Sequence, residues 1–359
     1  MSVARHERLR RGAVTALEIC VIAALYYASG RLGLLQQLVR GQVTPLWPPT
    51  GIAVAGLLLL GPRVWPGIAL GAFAINVSLG PSIPAVLAIV AGNTLAPLCS
   101  YALLRRAGFR TEMDRLRDAL ALVFLGAFTG MLLSATVGGC TLLLAGALST
   151  GAFWPTWSVW WTGDAMGVLL VAPVLLVLRS ARRPRDVPPS RWLEASLLLV
   201  TTIGVGFLEA GRVPLLFLGL PVLIWAAFRF QRAGAAPCAL AVSTFAILAA
   251  ARRTGPFAGQ HLLIGMITLQ AFNGSVALTA LLLSATISEQ RQNRMEIEQA
   301  CRQLAEMVTR IAPEEAESAT RLDSEENGAG DDERPRKHRR PSAAEAEGRD
   351  RWGHHPRPP

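Results

Sequence analysis

From about residue 13 to residue 286 the chain is a succession of apolar segments joined by short links, and few folds can accommodate that pattern. A helix that spans a bilayer needs ~20 apolar residues. Runs near or above that length lie at 13–35, 83–104, 120–148, 154–178, 192–208, 213–228, 235–250 and 262–286, with shorter pieces at 52–60 and 64–79. The sequence is 52% hydrophobic and 17% charged, with a mean hydropathy of +0.38. That is too apolar for an ordinary soluble domain. The expected fold is an all-α polytopic integral membrane bundle of about 8–10 transmembrane helices. Counting every segment gives ten crossings; treating 52–60 and 64–79 as a re-entrant pair gives eight. Either count is even, which puts both termini in the cytoplasm.

The formal charge of +10 comes almost wholly from arginine, since Lys337 is the sole lysine. In a soluble protein this balance would suggest nucleic acid. Here the arginines cluster in links (Arg105, Arg106, Arg110, Arg115, Arg117; then Arg179, Arg182, Arg183, Arg185, Arg191). Positive charge there sets topology, so no nucleic-acid partner is expected. Arg5, Arg8, Arg10 and Arg11 make residues 1–12 a basic cytoplasmic N-terminus before an uncleaved first span. The five cysteines are scattered with no CxxC spacing, and neither a disulfide nor a metal site is expected.

Within the apolar region one carboxylate stands out. Ser158–Gly167 contains Asp164 beside Gly163, Trp160 and Trp161. An ionised Asp at mid-membrane costs several kcal/mol unless paired or wet, so it marks a functional site by default. The bland alternative is a helix cap or an arginine partner that only fixes packing. A second feature is Trp47-Pro48-Pro49-Thr50-Gly51, leading into an apolar piece of about ten residues. Paired prolines start helices but do not sit inside them, so this reads as a half-helix entered at Pro48-Pro49. Asn76 and Asn93 lie in neighbouring segments, where the ordinary role of an amide is a cross-helix hydrogen bond. Trp47 also fits an interfacial aromatic belt. Glu18 is expected to be neutralised by the basic N-terminus or to snorkel, and Glu209 to snorkel to the outer surface. Gly126 and Gly130 form a GxxxG spacing that permits close packing.

The candidate polar core is therefore Asp164, Asn76, Asn93, Trp47, Pro48, Pro49, Thr50, Trp160, Trp161 and Gly163. One carboxylate among amides and indoles is too little for two-carboxylate acid–base chemistry. It suits a small cationic or polar ligand, a proton, or an internal network. There is no phosphate loop, GxSxG or HExxH, so no enzyme activity and no cofactor is expected.

Past the last span the pattern predicts a continuing polar helix over 288–312. Ile297, Cys301, Leu304, Val308 and Ile311 are spaced as a coiled-coil seam of about two heptads. Such a seam is marginal alone and implies a homodimer held by the membrane domain. From Pro313 to residue 359 the composition turns to charge blocks with almost nothing apolar, which predicts a disordered tail.

Several of these motifs occur together in a known family. Leu46–Ala53, Leu60–Gly67, Gly71–Asn76, Gly92–Leu95, Ser134–Gly138 and Trp160–Leu169 resemble, in order and spacing, the MASE1 family of bacterial membrane-associated sensor domains, with residues 13–287 as the sensor. The resemblance implies an inner-membrane sensory domain, usually fused to histidine kinase, diguanylate cyclase or PAS modules. It departs from the family at Ala96-Pro97, where an acidic residue often follows Asn-Thr-Leu. No output module follows the last helix, so two readings stand: a shortened relative that works through a separate partner (a histidine kinase, a cyclase or a transporter-like protein), or a degraded remnant. The rival class is a membrane transporter of ions or small molecules, since broken helices around midplane polar groups are also a transporter device.

Overall fold

The computed structural model describes residues 2–34, 44–180, 188–211 and 215–328. Among them there are ten helical segments and no strand. We label them α1 (Ser2–Leu34), α2 (Pro48–Leu60), α3 (Trp65–Asn76), α4 (Ile83–Arg106), α5 (Leu116–Leu144), α6 (Thr150–Arg179), α7 (Pro189–Glu209), α8 (Leu216–Phe230), α9 (Arg232–Ala251) and α10 (Leu262–Gly328). Seven helices are long and apolar enough to cross a bilayer; α2 and α8 are shorter apolar helices. The fold is an all-α polytopic membrane bundle. Leu17, Val21 and Leu25 on α1, and Leu197, Leu199 and Val200 on α7, are exposed, which in this setting means facing lipid.

α2 begins as the sequence dictates. Pro48 and Pro49 occupy its first two positions, where a missing N–H removes a donor that would be orphaned anyway. It ends at Gly61, whose φ of +86° turns the chain and whose N–H donates to Leu57 O at 2.9 Å. Residues Pro49 to Leu57 are all buried. A helix apolar on every side belongs inside a bundle, and α2 packs on α1, α4 and α6. It runs antiparallel to α1: its start meets Gly33 and its Gly56 meets Ile22. α3 then returns parallel to α1, with Gly67 on Ile19 and Gly71 on Tyr26. Arg63, in the turn between α2 and α3, donates to both oxygens of Glu18 at 3.0 Å, so Glu18 is neutralised by this arginine instead of by the N-terminal cluster.

Helices α4, α5 and α6 approach closely at glycines. Gly126 and Gly130 receive Leu104 and Ser100 of α4, and Ser100 donates to Gly126 O at 2.7 Å. Gly92 faces Val137, and Gly138 lies under the Trp160 ring. Both α5 and α6 contain a π-helical stretch, Leu122–Thr129 and Gly167–Val171. In α6 Pro173 follows two residues after that stretch; it lacks the N–H that a regular helix would return to Leu169.

Two expectations need correction. Glu209 does not snorkel: it is fully buried, and its carboxylate accepts the Gly219 N–H at 3.0 Å at the start of α8's regular helix. Burying it there offsets unpaired donors at a helix N-terminus. The helix expected to end at 312 continues through Pro313 to Gly328. Residues 314–319 are rich in Glu and Ala, which are strong helix formers, and proline costs one turn's bond without ending the helix here. The rest of the expected tail, 329–359, lies outside the described residues. Met1–Arg294 form one compact unit, and a second unit begins at Met295.

Gly51→Val would place its Cβ against the Gly167 carbonyl and Val171. Overpacking of this kind costs roughly 1–3 kcal/mol or more. Its thermal midpoint in detergent should fall well below wild type. Gly204→Ala, with nothing within 4 Å of the added carbon, should be neutral or slightly stabilising; equal losses in both would contradict the packing described.

Candidate functional site

Asp164 lies about 17 Å along α6 from the start of its α-helical part at Phe153, by a rise of 1.5 Å per residue. Asn93 is about as far from the start of α4, and Ser134 about as far from the end of α5. The three therefore meet at mid-helix depth, and the start of α2 meets them there. Trp47 N–H donates to Gly163 O at 3.0 Å. Gly163 and Gly167 form a GxxxG spacing that accepts the incoming segment: a Cβ on Gly163 would strike Thr44 O, and one on Gly167 would strike Trp47 O. α2 is thus a half-helix whose N-terminus, carrying roughly half a unit of positive charge, is seated against the middle of α6.

The carboxylate of Asp164 is only 2% exposed and is held by three donors from three helices. Thr50 of α2 donates its hydroxyl to Oδ1 at 2.5 Å. Ser134 of α5 lies 2.8 Å from Oδ2, and Trp160 of α6 makes a side-chain hydrogen bond to the same carboxylate. Ser134 Oγ is also 2.9 Å from the Asn93 amide. A hydroxyl has one proton, and it cannot donate to both. Two arrangements satisfy both contacts: Ser134 donates to the carboxylate and the Asn93 NH2 turns to donate to Ser134, or a protonated Asp164 donates to Ser134, which donates to Asn93 Oδ1. Pro97 adds a further consequence: it has no N–H to return to the Asn93 carbonyl four residues earlier, so that carbonyl lacks its usual helical partner.

Beside the carboxylate is a partly open cavity, lined by Thr44, Trp47, Asn76, Leu79, Gly80, Ile89, Asn93, Trp160, Gly163 and Asp164. The space open to the centres of water-sized spheres is about 40 Å³, room for about three waters. Of the residues expected from sequence, Asp164, Asn76, Asn93, Trp47, Trp160 and Gly163 line this cavity. Thr50 reaches the carboxylate directly, and Pro48 and Pro49 set the start of α2 without lining the space. Trp161 is not part of it. Its indole turns the other way, donates to Phe128 O at 2.8 Å and stacks on Trp157 at 5.7 Å. Adjacent residues on a helix are about 100° apart, so Trp160 and Trp161 could not both face Asp164. Asn76 donates to Ala72 O at 2.8 Å, a bond within its own helix and not the cross-helix one expected.

Three further contributors are not among the residues expected from sequence. Tyr26 of α1 is buried and hydrogen-bonds the Trp47 side chain. Thr44 lines the cavity and donates to Leu46 O at 2.9 Å. Gln270 of α10 donates to Pro45 O at 3.1 Å. A tyrosine in the first span and a glutamine in the last carry no local signal. Among the described residues no cluster of three or more His, Cys, Asp or Glu could hold a metal.

Residues 19–291 match MASE1. The chain belongs to the MASE1 family. MASE1 is a membrane sensor domain, so the chain is a multi-pass membrane protein with a sensory role. It is also similar to the probable diguanylate cyclase DgcE of Escherichia coli (strain K12), 27% identical over 197 residues. That stretch is 53% of this chain and 17% of the relative, so the chain covers under a fifth of that protein. No solved structure matches this MASE1 chain.

Thr50→Val removes a hydrogen bond to a buried carboxylate, a class worth about 1.5–3 kcal/mol. Arg63→Gln breaks a half-exposed ion pair with Glu18, worth at most ~1 kcal/mol and weakened by salt. In denaturation of the purified protein, Thr50→Val should be the more damaging, and its loss should be insensitive to salt. The reverse order would show that the carboxylate network does not hold α2 in place.

Proposed function

We propose that this MASE1 chain senses at the bacterial inner membrane, through the cavity beside Asp164, and passes the cavity's state along α10 to a signalling module outside this sequence. A histidine kinase, a cyclase or a transporter-like protein would supply that module, and the basic ends of the helices would face the cytoplasm with it. The observation that carries this reading is the bond from Gln270 to Pro45 O. Pro45 sits within Thr44–Trp47, which lines the cavity at both ends and is bonded to Gly163. A change at the cavity therefore bears directly on α10.

The same helix is held again at the opposite end of the bundle. Glu289 accepts the Leu116 N–H at 3.1 Å, and Arg291 donates to Phe228 O at 3.0 Å. α10 is thus tied once near the cavity and twice near the helix ends that carry Arg106 and Arg229. Farther on, Ile297, Cys301, Leu304 and Val308 are all exposed. Their 4-3-4 spacing supports a parallel homodimer through this seam, in which one helix's shift is felt by its partner. A transporter remains the rival function, because the N-terminus of a half-helix beside a midplane cavity is a device both classes use.

Residues 1–311 fused to a reporter kinase should give an output that responds to membrane conditions. Gln270→Leu should keep the protein in the membrane while cutting that response by several-fold or more. A full response in Gln270→Leu would sink the α10 route, and Asp164-dependent flux in vesicles would favour transport. With the other four cysteines replaced by serine, mild oxidation should cross-link Cys301 between two chains; a chain that stays monomeric throughout would sink the dimer.

A further inference from the structure

We propose that α10 has a second setting along α9, in which the Asn273 amide bonds the Ser243 hydroxyl, and that the bond from Gln270 to Pro45 O holds α10 out of it. The proposal rests on the sensing reading above and names the element that moves and the residue that captures it. Two fully buried polar side chains without a hydrogen-bond partner carry it.

Asn273 on α10 is 0% exposed, and neither its Nδ2 nor its Oδ1 has a hydrogen-bond partner among the described residues. Ser243 on α9 is also 0% exposed, and its hydroxyl has no partner there either. Buried polar groups are normally paired, and inside a membrane bundle the need is greater, so two orphans call for a cause. The two helices pack side by side: Arg232, Ala236 and Ala239 of α9 line one small cavity with Ala280, Leu281 and Ser284 of α10. A short link joins them, so they run antiparallel. Ser243 continues the α9 stripe four residues after Ala239, and Asn273 continues the α10 stripe seven residues before Ala280. Both therefore lie on the facing stripes. At 1.5 Å per residue Ser243 is about 6 Å beyond Ala239 and Asn273 about 10 Å beyond Ala280, so their depths differ by no more than about one turn.

Hydrogen bonds toward the two ends of the bundle hold α10 in its present setting. Gln270 donates to Pro45 O at 3.1 Å at the cavity end. At the other end Glu289 accepts the Leu116 N–H at 3.1 Å, and Arg291 donates to Phe228 O at 3.0 Å. These bonds anchor the helix where its own middle is unsatisfied. The seam itself resists a shift weakly, because Ala236 and Ala239 on α9 and Ala277 and Ala280 on α10 are buried alanines with no long side chains to interlock. Shifts from 1–2 Å up to about one turn are the usual amplitude of a helix that moves past its neighbour. A bond from an asparagine to a serine across two membrane helices is an ordinary use of both residues. Gln270 is three residues before Asn273, on the same face, and its Oε1 is likewise buried without a partner. Loss of the Gln270 bond releases α10, and the Asn273–Ser243 bond captures it.

The test uses the full chain in lipid nanodiscs, with the five native cysteines replaced by serine and spin labels on Leu193→Cys and Ile267→Cys, both exposed positions. Glu194 of α7 pairs with Arg229, next to the Phe228 carbonyl that Arg291 reaches, so α7 starts at the end of the bundle away from the start of α10. The distance between the labels therefore runs largely along α10 and reads its shift by pulsed electron resonance. Gln270→Leu should populate a second distance several-fold more than the parent, and adding Asn273→Leu should return the parent distribution. If Gln270→Leu does not fold, Gln270→Met, closer in shape, takes its place. Asn273→Leu alone should leave the distance unmoved and raise the thermal midpoint, because it removes an unpaired buried amide. The proposal is overturned if the Gln270 variant leaves the distance unmoved or if the double variant keeps the second distance. It is also overturned if Asn273→Leu lowers the midpoint, which would give Asn273 a partner in the present setting, such as a buried water or residues 35–43, outside the described residues. In the reporter fusion, Gln270→Leu and Asn273→Leu should set basal outputs on opposite sides of wild type. A distance shift without any reporter response removes the sensor and leaves the two settings; a Gln270-dependent response at a fixed distance does the opposite.

Discussion

The carboxylate of Asp164, enclosed by apolar helices, is the constraint around which the surrounding half of the bundle is arranged. Left bare, it would cost several kcal/mol in a low-dielectric interior. It is instead met by Thr50, Ser134 and Trp160, one from each of three helices. Those donors fix the depth at which α2 starts, the rotation of α5 about its axis and the face that α6 turns inward. The glycines follow from this. To bring Thr50 within reach, the backbone of α2 must touch that of α6, and only Gly51, Gly163 and Gly167 leave room. Small residues at such a crossing are the usual means of close approach in a membrane, where apolar burial gives no net drive between helices.

The same arrangement links the site to the rest of the molecule. The segment Thr44–Trp47 is held on one side by Gly163 and on the other by Gln270. It is the one described stretch of irregular backbone at the cavity that both the Asp164 helix and the last helix grip by hydrogen bonds. Irregular backbone at that depth persists only where protein or water covers it. The π-helical stretch at Gly167–Val171 begins three residues after Asp164. Such stretches are common at functional positions, since they break the regular ladder locally. Site, irregular segment and last helix are therefore contiguous.

Much of this is legible in the amino-acid sequence. Its ten apolar segments correspond to the ten described helices because a bilayer leaves the backbone little alternative. Pro48-Pro49 marks the start of a buried half-helix, because proline's missing N–H is tolerated only there. Asp164, Asn93 and Thr50 are conspicuous as polar groups in apolar surroundings, and they do meet. The departures from expectation also have physical causes. Adjacency groups Trp161 with Trp160, but helical geometry separates neighbours by about 100°. Its place at the end of a segment points Glu209 to the surface, yet a buried helix N-terminus offers it a donor. Pro313 is a stop signal by its missing N–H alone, although the Glu- and Ala-rich residues after it carry the helix to Gly328.

By itself the sequence determined the fold class, the half-helix and the identity of the central carboxylate, because each is a local consequence of hydrophobicity or of proline and charge in apolar surroundings. Only the tertiary structure decided which donors serve Asp164, and that Tyr26 and Gln270 belong to the same assembly. Those depend on the rotation and depth of helices that are far apart along the chain. No local pattern encodes that information, because it is set by how Gly51 and Gly167 let two backbones meet.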